Sequence, residues 1–233
     1  MKKILKIAII PLVTTAMAAA AVAAEQPALN VDRSHLYLDE SFPEDTVVVR
    51  NMSKSPLSVR SSVQGAEHAS QAPVAVWPFD TSIKPGETAV IHLRLTNPAG
   101  QAESLLRLHL ESQLPSDSGT AVAPQQLNVP LLVHPMSLPR QVNPWLHIRF
   151  RMTADGRLYV DNQSPYVLPL SPTLVFMPEK RPFGLPKAVL LPGESVSVSG
   201  VFPDLKSNTV SITPTDLSGK LLPKIELPLE RGS

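Results

Sequence analysis

The chain has 233 residues, a formal net charge of +1 from 21 Lys and Arg against 20 Asp and Glu, and no cysteine. A balance this even gives no indication of nucleic-acid binding, and the lack of cysteine excludes disulfides, cysteine catalysis and thiolate metal sites. The hydrophobic fraction of 43% is ordinary for a folded protein, so stability must come from buried apolar area.

The N-terminus has the pattern of a secretory signal peptide. Lys2, Lys3 and Lys6 precede an apolar, Ala-rich run that ends at Ala24. Such a basic start, apolar stretch and small-residue end predict cleavage near Ala24, which makes residues 1–24 the signal. No later segment approaches the roughly 20 apolar residues of a membrane span, so we expect an exported protein with no membrane insertion after cleavage.

From Ala28 onwards, short runs of alternating apolar residues are separated by turn residues. The spacing of about 8 to 12 residues is typical of β-sandwiches and barrels, and no amphipathic helix of useful length appears. The expected strands are Ala28–Leu38, Thr46–Asn51, Leu57–Gln64, Ala75–Pro78, Glu87–Leu95, Glu103–Ser112 and Gln126–Val133. They predict one immunoglobulin-like sandwich over residues 25–135.

The last of these strands carries the first functional hypothesis. Its alternating positions and its central proline are Gln125, Leu127, Val129, Leu131, Val133 and Pro130. Proline has no N–H to give to a sheet, so the strand is expected at a sheet edge or at a bulge. An edge strand whose outer side has no neighbouring strand predicts that a partner adds a strand there, or that the chain self-associates through that edge. An ordinary edge strand at the end of a domain explains the pattern as well.

A proline-rich segment over residues 136–144 predicts a stiff interdomain linker. After it a second, smaller β pattern predicts another sandwich over residues 145–233. Its expected strands are Trp145–Arg151, Leu158–Asn162, Tyr166–Met177, Ala188–Leu191, Ser195–Val201, Thr209–Thr213 and Ile225–Leu229. No repeat between the two halves is tight enough to indicate duplication.

The chain gives little support to catalysis. Its six histidines are scattered, with no metal-binding spacing, and no nucleophile elbow, phosphate loop or dinucleotide motif is present. We therefore predict no enzymatic activity, no catalytic residues, no metal and no cofactor. The expected site is a surface that binds.

Motifs along nearly the whole chain resemble the periplasmic pilus chaperones of the chaperone/usher pathway. The similar segments, in order, are Leu29–Leu38, Asn51 with Ser55–Leu57, Val76–Phe79 with Ile83–Gly86 and Ile91–Arg94, Glu103–Leu106 with Leu114–Pro115, and Asn162–Tyr166.

The resemblance implies an all-β protein with two immunoglobulin-like domains in an L or boomerang arrangement. It also implies that the edge strand at about residues 125–133 completes the fold of a pilus or fimbrial subunit, which an outer-membrane usher then takes over in the periplasm. Leu127, Val129 and Leu131 are expected to enter or flank the groove of that client subunit.

Two sets of family residues are altered in this chain. The family anchors the client's terminal carboxylate in the interdomain cleft with an Arg and a Lys, and the matching positions are His35 and Pro130. Arg33, two residues from His35 on the same face of the expected first strand, is therefore the expected substitute anchor, and His35 is the second candidate. A solvated surface charge explains Arg33 as well. The interdomain ionic cluster of the family maps onto Glu103, His134 and Asp216.

Two other functions are compatible with the same β pattern. A pilus subunit or adhesin-like sandwich would need a long N-terminal donor peptide, whereas only a few residues separate Glu25 from the first strand. A periplasmic ligand-binding sandwich would need exposed aromatic platforms, and the chain has two Trp and three Tyr.

Overall fold

A computed structural model describes residues 26–65, 73–97, 100–115, 123–202 and 204–232. The predicted signal peptide lies outside the described residues. Within them the chain is all-β except for one 3-10 turn at Pro144–His147. No helix in the described ranges is long and apolar enough to cross a membrane.

The first half of the chain forms two sheets that face each other. Its strands are β1 (Leu29–Val31), β2 (Leu36–Asp39), β3 (Glu44–Asn51), β4 (Leu57–Gln64), β5 (Val74–Trp77), β6 (Asp80–Ile83), β7 (Thr88–Leu95), β8 (Ser104–Gln113) and β9 (Gln125–His134). One sheet has the order β1-β3-β7-β5 and the other has the order β2-β9-β8-β4-β6.

Alternation along each strand builds the core between these sheets. Leu106, Leu108 and Leu110 on β8 are buried, whereas Arg107, which lies between them, points outwards. Successive side chains of a strand point to opposite faces, so one apolar face per strand meets the facing sheet. The strands of the first half thereby share a single hydrophobic cluster.

The expected first strand, Ala28–Leu38, is in fact two strands that belong to different sheets. β1 pairs antiparallel with β3, and β2 pairs parallel with β9. The polar residues Asp32 to His35 separate them, and the Asp32 carboxylate accepts a hydrogen bond from the backbone N–H of Val48. The chain therefore crosses from one sheet to the other at this point.

The second half of the chain forms its own sheets and its own hydrophobic cluster. Its strands are β10 (Ile148–Met152), β11 (Leu158–Asn162), β12 (Leu168–Pro169), β13 (Thr173–Met177), β14 (Arg181–Gly184), β15 (Val189–Leu190), β16 (Ser195–Ser197), β17 (Thr209–Ile212) and β18 (Ile225–Arg231).

β18 lies inside the larger sheet, whose order is β14-β13-β17-β18-β10-β11-β16. It pairs antiparallel with β17 and parallel with β10. The smaller sheet consists of β12 and β15 alone. Between His134 and Ile148 the chain has no strand, which suits the proposed linker at residues 136–144.

Three other strand predictions were wrong in detail. The expected strand Tyr166–Met177 is divided into β12 and β13, because Ser171 and Pro172 interrupt it. β6 and β14 were missed, since a short strand with a proline or few apolar residues carries a weak periodic signal.

Candidate functional site

β9 has an open stretch along one of its edges. On one side the whole strand pairs with β8, from Gln125 opposite Ser112 to Val133 opposite Ser104. On the other side β2 pairs with Leu131–His134 alone. Within the described residues, Gln125–Pro130 therefore has no strand partner on that side, and its outward backbone groups are available for pairing. The prediction of an edge strand is correct for this stretch and wrong for Leu131–His134, where β2 returns to cover the edge.

The side chains of β9 divide between the core and the outer face of the sheet. Val129, Leu131 and Val133 are buried in the core of the first half, and Leu127 packs against it. Val129 and Leu131 therefore do not enter a client groove, because the alternation of β9 commits them to the chain's own core. That Leu127, Val129 and Leu131 flank such a groove stays a prediction. Pro130 is half-buried on the outer face, opposite Arg107 of β8.

Gln125 fixes the beginning of the open stretch. Its side-chain oxygen accepts a 2.7 Å hydrogen bond from the backbone N–H of Leu29 in β1. The contact ties the start of β9 to the opposite sheet. Gln125 therefore positions the strand instead of presenting a free side chain to a partner.

The other end of β9 leads into a cleft of about 380 Å³ between the two halves of the chain. Leu132 and His134 of β9 line it from the first half, and Trp145, Tyr166 and Leu222 line it from the linker and the second half. The walls are mainly aromatic and aliphatic.

The buried His134 and the partly buried Glu103 form a pair in the wall of the cleft. His134 Nδ1 lies 2.8 Å from Glu103 Oε1, and His134 Nε2 donates to the Leu138 carbonyl at 2.9 Å. A carboxylate and a carbonyl both accept, so the ring is fully bonded when both nitrogens carry hydrogen. Glu103 Oε2 accepts from the backbone N–H of Val167 at 2.8 Å. The pair thus joins β8, β9, the linker and the second half.

Asp216 lines the same cleft but is not part of this pair. Its Oδ1 accepts hydrogen bonds from the hydroxyl and N–H of Ser218 and from the N–H of Lys220. The Ser218 hydroxyl, followed by these backbone donors, lowers the pKa of Asp216 despite the opposing effect of desolvation. The expected three-residue cluster is therefore wrong, because the turn around Asp216 satisfies its carboxylate locally.

Side chains of the second half hold the end of the linker in place. The hydroxyl of Tyr166 donates to the Pro139 carbonyl, and the indole N–H of Trp145 donates to the Pro169 carbonyl at 2.7 Å. Burial, together with the nearby charge of Glu103, raises the pKa of Tyr166, so the hydroxyl stays a donor. The backbone on either side of residue 140 is consequently held in place.

Arg33, the expected anchor, does not line the cleft. Its Nη1 donates to both carboxylate oxygens of Asp45, at 2.8 and 2.9 Å, at the start of β3. His35 does line the cleft, and its Nδ1 lies 3.1 Å from the Ser34 hydroxyl. The prediction placed both residues on one face of a continuous strand, whereas both lie in the segment between β1 and β2, where the alternation of a strand does not apply.

Arg140 is a cleft residue that the sequence did not reveal. Its Nη2 donates to Asp39 Oδ2 at 2.7 Å, and its guanidinium carbon lies 5.6 Å from the centre of the Tyr37 ring. Arg140 follows a proline in a segment without periodic structure, so its direction could not be derived from the pattern. The proximity of a buried Asp39 at the end of β2 becomes evident only in the folded chain.

The described residues contain no group of three or more His, Asp or Glu side chains placed to hold a metal ion. The site therefore consists of an open β-edge and a cleft.

Comparison with known proteins agrees with this architecture. Residues 28–139 match the family of pili and flagellar-assembly chaperones, PapD N-terminal domain. An uncharacterized fimbrial chaperone, YhcA of Escherichia coli (strain K12), is 22% identical over 173 residues, which are 72% of this chain and 76% of the relative.

Solved structures extend the likeness to most of the chain. The Salmonella enterica SafA pilin in complex with the SafB chaperone matches with a TM-score of 0.71 and 16% identity, over 89% of this chain and 99% of that one. The E. coli chaperone DraB matches with a TM-score of 0.68 and 18% identity, over 87% and 97%. The Pseudomonas aeruginosa CupB2 chaperone matches with a TM-score of 0.66 and 18% identity, over 86% and 100%.

These likenesses confirm the predicted fold class, an all-β chain with two immunoglobulin-like domains. Fimbrial chaperones are periplasmic and have no catalytic activity, in agreement with the prediction that the chain is not an enzyme. Residues 28–139 match the pili and flagellar-assembly chaperones, which confirms the predicted resemblance to the pilus chaperones of the chaperone/usher pathway.

Proposed function

We propose that the chain is a periplasmic chaperone that caps pilus subunits by pairing with them along Gln125–Pro130 of β9, and that it then delivers them to an outer-membrane usher. The observation that carries this proposal is the open edge of β9, which ends where β2 begins to cover the strand. Family membership supports the chaperone role over that of a pilus subunit or a ligand-binding sandwich. The predicted signal over residues 1–24 supports export to the periplasm.

The physical basis is the cost of an incomplete sheet. A subunit that lacks a strand exposes unpaired backbone groups and apolar side chains, and buried polar groups without partners cost free energy. An added strand satisfies the backbone groups through main-chain hydrogen bonds. The outward residues Gln126 and Asn128 of β9 are exposed, so a client can approach the edge without disturbing the core. No nucleotide or other cofactor is required for such pairing.

The open stretch also supports self-association of the chain in the absence of a client. The same backbone groups can pair with the edge of another copy of the chain, as β-edges generally do. Self-association through β9 would then compete with subunit capture.

Crosslinking tests the proposed contact, because the chain has no cysteine of its own. Asn128→Cys places one thiol on the open edge, and this thiol is labelled with a thiol-linked photocrosslinker during co-expression with candidate fimbrial subunits of the source organism. We expect a crosslink to a subunit. Arg50→Cys is the matched control, since Arg50 is exposed on β3 of the opposite sheet. A subunit that crosslinks equally from Arg50→Cys, or from neither variant, would exclude the open edge as the contact.

A further inference from the structure

The outer face of the sheet β1-β3-β7-β5 carries a stacked aromatic pair. Trp77 of β5 lies opposite His92 of β7, and His92 lies opposite Thr46 of β3, so these residues form one row across three strands. The row faces outwards, because the next residue of β7, Leu93, is buried in the core and successive side chains alternate between faces. The rings of Trp77 and His92 stack with their centres 5.3 Å apart. Trp77 is still 42% exposed, so part of its indole ring remains open to solvent.

A cavity of about 220 Å³ lies beside this pair. The residues that line it are Glu44, Asp45, Thr46, Trp77, His92 and Leu93. None of them lines the cleft between the two halves of the chain. Pockets for drug-sized ligands have volumes of about 300 to 1,000 Å³. The smaller cavity here therefore suits one small ring of a longer ligand.

The charged groups at this cavity are already paired within the chain. Glu44 Oε1 lies 3.2 Å from Arg94 Nε. Asp45 accepts two hydrogen bonds from Arg33 Nη1, at 2.8 and 2.9 Å. Each carboxylate is balanced by a guanidinium, so the site offers both acceptors and donors without a net charge. It therefore disfavours a highly charged ligand and suits a neutral one with hydroxyl groups, which both donate and accept.

Three polar groups of the row form no hydrogen bond with another residue that the structure describes. They are the indole N–H of Trp77, the ring nitrogens of His92 and the hydroxyl of Thr46. A hydroxyl and an imidazole can each donate or accept, whereas an indole only donates. A ligand can therefore bond to all three without displacing a hydrogen bond of the fold.

We propose that this cavity binds one pyranose ring of a neutral saccharide. Trp77 is the platform on which the sugar ring stacks, while Thr46, His92 and Glu44 bond its hydroxyl groups. The face of an aromatic ring carries partial negative charge, which attracts the polarised C–H groups on one side of a pyranose. An apolar protein segment in the same place would leave the unpaired polar groups without water, at a cost in free energy. The site thus favours a saccharide over an apolar protein partner.

The saccharide site and the open edge lie on different sheets. β9 belongs to the sheet β2-β9-β8-β4-β6, whereas Trp77, His92 and Thr46 belong to the facing one. The outer surfaces of two facing sheets are on opposite sides of a domain. The chain can therefore hold a saccharide while its open edge binds a subunit, and this inference goes beyond the proposed function without depending on it.

Nuclear magnetic resonance tests the site, because the chain has two tryptophans and therefore two indole N–H signals. Trp77→Ala removes one of them, which assigns both. Trp145, whose N–H donates to the Pro169 carbonyl at the cleft, is the internal reference. The probes are two neutral trisaccharides, an N-acetylglucosamine trimer with the acetylated sugar of bacterial cell-wall glycan and cellotriose without acetyl groups. Val90→Ala is the matched control, because Val90 is exposed on the same face of β7 but does not line the cavity.

We expect at least one trisaccharide to shift the indole signal of Trp77 and the amide signal of His92, while the indole signal of Trp145 stays in place. The dissociation constant should be on the order of 1 mM, since a small exposed site recovers little beyond the cost of association. Trp77→Ala should weaken this binding about tenfold or more, measured at His92, because the stacking contact is lost. Val90→Ala should bind as the wild type does. The trisaccharide that binds identifies the sugar as acetylated or not.

The inference is overturned if neither trisaccharide moves the Trp77 signal at about 10 mM. It is also overturned if the Trp145 signal moves instead, or if Trp77→Ala binds as tightly as Val90→Ala does. Crosslinking of a subunit from Asn128→Cys should be the same with and without Trp77→Ala, because the two sites lie on different sheets. Failure of the saccharide site therefore leaves the proposed function standing, whereas loss of crosslinking in the wild-type background refutes that function alone.

Discussion

Asn51 and Asn162 occupy equivalent corners of the two domains. The side-chain N–H groups of Asn51 donate to the carbonyls of Ser55 and Ile83, at 2.9 and 2.8 Å. Those of Asn162 donate to the carbonyls of Tyr166 and Leu191, at 2.7 and 3.0 Å. In both corners the asparagine oxygen accepts from the N–H of a serine two residues later.

The turns that face the two asparagines match as well. Asn51 N–H donates to the Glu87 carbonyl and Asn162 N–H to the Glu194 carbonyl, and a Pro-Gly pair precedes each glutamate. Gly86 and Gly193 have φ of 76° and 71°, values that favour glycine. The two domains therefore share a construction that comparison of their sequences did not identify as a repeat.

We expect Asn162→Ala to destabilise the second domain by about 2 to 3 kcal/mol, because it leaves buried carbonyl groups without donors. Urea unfolding followed by tryptophan fluorescence measures the loss, since Trp145 packs against that domain's core. Asn30→Ala is the control, because Asn30 is exposed on β1. Equal stability of the two variants would contradict the structural role of Asn162.

Val129→Asp should unfold the first domain instead of only blocking a client. Val129 is 4% exposed and lies opposite Leu108 in the core, where an unpaired charge costs several kcal/mol. Asn128→Asp, one residue earlier on the exposed face, should remain folded. Circular dichroism during heating distinguishes the two, and a Val129→Asp variant with wild-type melting would show that this residue is not in the core.

Glu103→Ala should loosen the junction between the domains. The change leaves the N–H of Val167 and Nδ1 of His134 without their carboxylate, at a cost of about 1 to 3 kcal/mol. We expect faster proteolysis within the linker and a lower urea midpoint. Glu111→Ala, on β8, which follows Glu103, but away from the cleft, should resist proteolysis as the wild type does. If the two variants are cut at the same rate, the Glu103 contacts do not hold the domains together.

Acid should weaken the second domain through Asp161. The hydrogen bond from Arg151 lowers the pKa of Asp161, and the Ser195 hydroxyl adds to this effect against the opposing influence of burial. A carboxyl whose folded pKa lies below its unfolded value of 3.8 contributes stability above that value and loses it as the pH falls through the folded pKa. The urea midpoint of Asp161→Asn should thus lie below wild type at pH 7, and the gap should close in acid. A gap that does not narrow as the pH falls below the unfolded value of 3.8 would contradict this account.

Strand positions were predictable where one face of a strand packs on a core. Leu106, Leu108 and Leu110 alternate with Arg107, His109 and Glu111 on β8, so the burial of the three leucines follows from the sequence. The break between β1 and β2 was not predictable, because the alternating pattern continues on either side of Asp32 and the change of sheet depends on β3 and β9.

The cleft was the least predictable part of the molecule. The pairing of His134 with Glu103 could be predicted from the resemblance to pilus chaperones. The absence of Asp216 from this pair could not be predicted, because it results from hydrogen bonds within the turn around Asp216. Arg140 pairs with Asp39 across 101 positions, and neither residue lies in a distinctive motif. Long-range pairs of this kind depend on how the linker folds back, which local patterns do not encode.

The central place of β18 in the second sheet constrains how an exported chain can fold. β18 lies between β17 and β10, yet it follows both in the sequence. The strands of the first domain, by contrast, are all complete by His134. If the chain crosses a membrane from its N-terminus, the first domain can therefore assemble, open edge included, while β10 still lacks its parallel neighbour. The open edge of β9 would then form before the second domain is complete, whereas the cleft, which Leu222 also lines, would form only after it.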